Sequence, residues 1–162
     1  MKLFAPSVLA FLLLAAAAPA FADASDQTGE APAARCARLS TDDTLLPVPE
    51  SLAIEVNAAF GTALPPASIP ATTVYRCVAG QVMVCTAGAN LPCGKADTSR
   101  TPGEGAVSWC KQNPQADFIP AYATGHDTIF AWRCKDGAAL VEKQLLDVDA
   151  QGFIKQFWKP LY

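Results

Sequence analysis

Histidine is almost missing from this chain: His126 is the sole one. That excludes metal centres built on several imidazoles and gives imidazole catalysis a single address. Clustered lysine and arginine are missing too. The 12 basic residues are scattered and outnumbered by 15 acidic ones, so no nucleic-acid partner is expected. Close cysteine pairs are absent. The tightest spacing, shared by Cys77 to Cys85 and Cys85 to Cys93, is wider than the paired ligands of a structural zinc site, and no zinc is expected. No serine lies in the G-x-S-x-G setting of a nucleophile elbow. The nearest approach to a phosphate-binding loop is Gly94-Lys95 with Gly88 upstream. Its spacing is off by one residue and Ala96 stands where Ser or Thr belongs, so no nucleotide cofactor is expected. Beyond the first 22 residues no apolar run nears the roughly 20 needed to cross a bilayer. Membrane insertion of the remaining chain is not expected.

What is present first is an address. Lys2 supplies a positive start, residues 3–18 are nearly all Leu, Ala, Phe and Val, and Pro19-Ala20-Phe21-Ala22 ends in small-x-small. This is the pattern of a cleavable secretory signal over residues 1–22. The first cysteine is Cys36, so no lipid-bearing cysteine stands at the cleavage point. One of the 12 basic residues, Lys2, leaves with the signal, and 11 against 15 acidic ones give the mature chain a charge of −4. All six cysteines, Cys36, Cys77, Cys85, Cys93, Cys110 and Cys134, lie beyond the signal. An even count in an exported chain reads as three disulfides in a periplasmic or secreted protein.

Residues 23–38 contain no large apolar side chain and are expected as a disordered tail, with a single disulfide-bonded domain over 39–162. Residues 39–50 read as a loop. Ser51 can cap a helix whose Leu52, Val56, Ala59 and Phe60 share a face and which Gly61 ends. Residues 64–71 are too proline-rich for a regular element. Residues 72–86 read as a hairpin turning at Ala79-Gly80, with Cys77 facing Val82 and Tyr75 facing Val84. A second helix is expected to start at Pro102 and end before Asn113-Pro114, with Ala106, Val107 and Cys110 on its inner face, although Gly103 and Gly105 weaken it. A second hairpin turns at Lys135-Asp136-Gly137, with Phe130, Trp132, Cys134, Ala139, Val141 and Leu145 on one face. Residues 153–158 read as a last strand. The expected fold is α+β: one antiparallel sheet of about five strands, two hairpins plus a C-terminal strand, with two short helices against it and disulfides as staples. Six cysteines allow 15 pairings. Cys85 with Cys93 is the local pairing expected, and Cys110 is within reach of Cys77 or Cys134.

The two hairpins share a device. Tyr75-Arg76-Cys77-Val78-Ala79-Gly80 matches Trp132-Arg133-Cys134-Lys135-Asp136-Gly137 as aromatic, Arg, Cys, two residues, Gly. In each, an inward aromatic and Cys and an outward Arg precede a turn. The Tyr-Arg-Cys-x-x-Gly start also resembles that of small periplasmic inhibitors of C-type lysozyme. That resemblance implies a disulfide-bearing antiparallel barrel. It covers this hairpin alone, and no residue role follows from it.

Four groups of residues are candidates for chemistry. His126 beside Asp127 can serve as a base, but the bridged cysteines leave no thiol nucleophile. The segment also reads as a turn. Asp147, Asp149 and Gln151 place oxygens at alternate positions before Gly152, like the start of a calcium loop, but the twelfth place is Trp158 and not Glu. Lys95 and Arg100, near the start of the second helix, can share an anion. Phe157 and Trp158 point to opposite faces of the last strand, which exposes one of them to a partner. The function expected is an exported binding or accessory module with a protein partner in the cell envelope. The alternatives are a small periplasmic hydrolase using His126 and a structural envelope protein.

Overall fold

Two hairpins carry the architecture of the computed structural model, which describes residues 29–88 and 90–162. The secretory signal expected at 1–22 lies outside these residues. In the first hairpin, β2 (Thr73–Val78) runs against β3 (Gln81–Thr86), with Cys77 opposite Val82 and Tyr75 opposite Val84 as expected. Ala79 and Gly80 both have positive φ, 50° and 81°, the type I′ geometry that matches strand twist in a two-residue turn. The second hairpin, β4 (Phe130–Lys135) and β5 (Ala138–Gln144), turns through Asp136 and Gly137 at φ 52° and 79°. Its register shifts between Ala131 and Trp132, which leaves Glu142 as an extra residue on β5. That bulge reverses the alternation, so Leu145 is exposed and not inward.

The expected tail is a helix in its last part. α1 (Pro32–Leu39) starts with proline at its first turn and buries Arg35 and Cys36. Its one large apolar residue, Leu39 at the last position, is only partly buried, and α1 is held by a Cys36–Cys77 disulfide and by an ion pair between Arg35 and Asp42. The loop expected over 39–50 contains an edge strand, β1 (Asp42–Pro47), whose proline sits at the strand end where no ladder bond is lost. A 3-10 turn (Glu50–Leu52) leads into α2 (Ala53–Phe60), and Gly61 closes it at φ 66°. The proline-rich stretch forms a 3-10 turn (Pro66–Ser68) and the single-turn α3 (Ile69–Thr72), their prolines placed in first turns. α4 (Glu104–Gln112) buries Ala106 and Cys110 but exposes Val107. The one-turn α5 (Ala121–Thr124) follows.

The expected fifth strand over 153–158 is not formed. Phe153 bridges Lys95, residues Lys155–Phe157 form a 3-10 turn, and β6 (Lys159–Pro160) pairs with β3 in the other sheet. The fold is therefore α+β with two antiparallel sheets, one ordered β1-β2-β3-β6 and one β4-β5. Neither closes into a barrel. The three disulfides are Cys36–Cys77, Cys85–Cys93 and Cys110–Cys134.

The repeated hairpin device extends to a repeated unit. Each inward hairpin cysteine is bridged to a helix, Cys77 to Cys36 in α1 and Cys134 to Cys110 in α4. Just beyond each helix a carbonyl accepts the turn glycine N–H: Gly80 to Ser40 at 2.7 Å and Gly137 to Pro114 at 3.1 Å. An edge segment follows in both, with Asp42 opposite Cys77 and the Ala116 carbonyl accepting from Cys134 N–H at 2.8 Å. Each unit has its own core, one around Val56, Tyr75 and Val84, the other around Ala106, Phe130 and Trp132. Residues 147–162 then return from the second unit to the first.

Candidate functional site

The other face of the first hairpin holds Arg76, Met83 and Cys85. Arg76, expected outward, is only 2% exposed. Its guanidinium pairs with Asp149 and lies 4.2 Å from the Phe153 ring centre and 4.5 Å from that of Trp158. A buried cation is tolerated when it is paired and sandwiched between aromatic faces. Asp149 also accepts the N–H groups of Gln151 at 2.9 Å and Phe153 at 3.0 Å. Burial raises the pKa of this carboxyl, but those N–H groups and Arg76 outweigh it and hold the group below its usual range. Gln151 also turns toward Arg76, at 3.5 Å. The acidic turn read as the start of a calcium loop therefore directs Asp149 and Gln151 inward, while Asp147 is exposed. Among the described residues, no three His, Cys, Asp or Glu side chains gather as a metal-binding group.

The remaining candidates are dispersed. Trp158 is buried against Arg76 and Phe153, and Phe157 is half-buried. Lys95 pairs with Asp43, donates to the Gln151 carbonyl at 2.6 Å and lies 4.6 Å from the Phe153 ring centre. Arg100 lies over Phe130 at 4.7 Å. Both cations are thus engaged by different parts of the protein.

His126 is exposed in the turn after α5, where Gly125 takes φ 95°. It borders a hollow of about 300 Å³ lined also by Phe118, Ile119, Thr124, Thr128, Trp132 and Leu145. The Thr128 hydroxyl accepts Trp132 Nε1–H at 3.2 Å. Asp127 is exposed, and its side chain is not part of the lining. Among the described residues this hollow therefore offers an imidazole without a carboxylate to orient it, and all six cysteines are bridged. No protein-family model, curated protein or solved structure matches the chain.

What distinguishes the hollow is its rim. Phe118 is 68% exposed and Leu145 57%, both on its lining, and Tyr122, outside the lining, is 72% exposed on the adjoining α5. Tyr122 also stands edge-on to Trp109, ring centres 5.6 Å apart, beside a second hollow of about 350 Å³. A larger hollow, about 470 Å³, lies elsewhere between α2 and β6 and has Tyr162 as its single aromatic. Phe118 and Tyr122 lie in no periodic pattern. Their one signal in the sequence is two aromatics flanking a proline, Phe118-Ile119-Pro120-Ala121-Tyr122. Composition alone argues for burying them, and a backbone held open by Pro120 and packed under α4 leaves them outside.

Proposed function

We propose that this protein is an exported binding module that recognises a protein partner in the cell envelope through the aromatic surface around His126. The chain is a small disulfide-stabilised domain, a construction suited to an oxidising compartment. One observation carries the reading: Phe118 and Leu145 are exposed on the lining of one hollow, and Tyr122 is exposed beside it on α5, on the lining of the neighbouring one. Clustered apolar exposure on a soluble domain marks interaction surfaces, and aromatics dominate their energetics. In this reading His126 is a lining group. A hydrolase would need an acid beside the imidazole, and Asp127 lies outside the lining. The test is affinity capture from an envelope extract with the wild-type chain and with Phe118→Ser/Tyr122→Ser. The wild type is expected to retain a stoichiometric partner that the variant loses while keeping its thermal midpoint. A wild type that retains nothing overturns the proposal.

A further inference from the structure

The two repeated units differ at one edge. In the first, β6 closes the outer side of β3: Met83 stands opposite Pro160, Val84 opposite Lys159, and Leu161 N–H donates to the Val82 carbonyl at 2.9 Å. Superposing Gly80 on Gly137 makes Met83 and Val84 correspond to Leu140 and Val141 of β5. Because the turn has two residues, the bonded pairs of the second hairpin are Lys135–Ala138 and Arg133–Leu140. The backbone N–H and C=O of Val141 therefore point away from β4, as those of Val84 point away from β2. Among the described residues no strand lies on that side of β5.

We propose that this edge is a strand-addition site for an extended, acidic segment of a partner protein. The proposal rests on the binding-module reading and adds the chemistry of the partner. The first unit shows the seat occupied, by two residues of this same chain. The charge of the segment follows from the surface beside the edge. Arg133 and Lys135 on β4 and Lys143 on β5 are all exposed, and none forms an ion pair among the described residues. Against these three stand Glu142, at the bulge, and Asp136, which accepts from Gln115. A strand laid along β5 places its side chains next to Leu140 and Lys143, where apolar and acidic residues fit. A second copy of the chain would bring the same cations face to face, and that repulsion opposes self-pairing. Main-chain bonds then supply affinity and the charges supply choice.

The test uses amide hydrogen exchange of the whole disulfide-bonded chain. The probe is a synthetic peptide of alternating Glu and Val, and the control alternates Lys and Val. With the acidic peptide at ten times its dissociation constant, exchange at Val141 slows about tenfold. The Leu140 amide, already bonded to β4, does not change, and the basic peptide protects neither. Arg133→Glu/Lys143→Glu, both at exposed positions, reverses the preference between the peptides. Val141→Pro removes the outward N–H without touching the β4 ladder and abolishes binding of the acidic peptide, measured by calorimetric titration. Unchanged exchange at Val141 in millimolar acidic peptide, or equal protection by both peptides, overturns the edge site. Neither result touches the binding-module reading, which fails only if the wild type captures no partner.

Discussion

Arg76 and Asp149 pair across 73 positions of sequence, and the pair fastens the returning C-terminal segment to the first hairpin. The Arg76 side chain is essentially sealed from water, and Asp149 is mostly so. Removing one partner leaves the other charge buried without compensation, which typically costs about 3–5 kcal/mol. Asp149→Ala is expected to lower the unfolding free energy by that order, and so is Arg76→Met. The double variant removes both charges and should lose clearly less than the two single losses added together. Urea titration of the four proteins measures this. Strict additivity would show that the pair is not coupled.

Acid should release the same pair. Burial raises the Asp149 carboxyl, but the N–H of Phe153, Arg76 and the N–H of Gln151 more than offset it, so its folded pKa is depressed. Asp42 behaves alike: burial raises it, and the Thr44 N–H with Arg35 outweighs burial. A depressed folded pKa gives stability that is complete above the unfolded value, about 4 for a carboxyl, and drains as pH falls through the folded value. The urea midpoint is therefore expected to hold level from neutral pH to about 5 and to fall below about 4. Asp149→Asn should start lower and fall less. A variant that falls as steeply as the wild type would remove Asp149 from the account.

The hairpins were legible because their signals are local. A two-residue turn and period-two alternation set Cys77 against Val82 with no knowledge of the rest of the chain. What was not legible is what distant residues decide. Arg76 alternates outward by rule, but Asp149, Phe153 and Trp158 arrive from the far end of the chain to bury it. Residues 32–38 look unable to order themselves, and a disulfide to Cys77 does it for them. The final strand is read at 153–158 and stands at 159–160 because two residues of pairing leave almost no periodic trace. Phe118 and Tyr122 stayed hidden for the opposite reason, since exposure of a large aromatic contradicts the ordinary burial rule.

The disulfides should rank by the chain they close. They span 41, 8 and 24 residues for Cys36–Cys77, Cys85–Cys93 and Cys110–Cys134. On a loop-entropy account their contributions are about 4, 2.5 and 3.5 kcal/mol. Paired Cys→Ser replacements, compared by urea unfolding, should follow that order. The loss at Cys36–Cys77 should also have a local mark. α1 has eight residues, short of the roughly 12–15 at which isolated helices begin to hold. Its amides should exchange freely in the Cys36→Ser/Cys77→Ser protein while the β4–β5 amides stay protected. Retained protection in α1 would mean that the Arg35–Asp42 pair, and not the bridge, anchors it.

Gly105 sets two ordinary effects against each other. It lies inside α4, where glycine is about 0.5–1 kcal/mol worse than alanine, so propensity alone favours Gly105→Ala. A Cβ at this position would lie 2.4 Å from the backbone carbonyl oxygen of Ala123. That oxygen belongs to α5 and cannot swing aside like the tip of a side chain, so the two helices must move apart. Inserting a methyl into such a contact costs about 1–3 kcal/mol, and the clash outweighs the helix gain. The displacement is also functional in this account. Ala123 is next to Tyr122, whose ring packs on Trp109. Gly105→Ala is expected to lower the thermal midpoint, change the tryptophan near-ultraviolet dichroism and weaken retention of the captured partner. A variant more stable than the wild type would mean that α5 is loosely seated and that the aromatic surface is not held in place by α4.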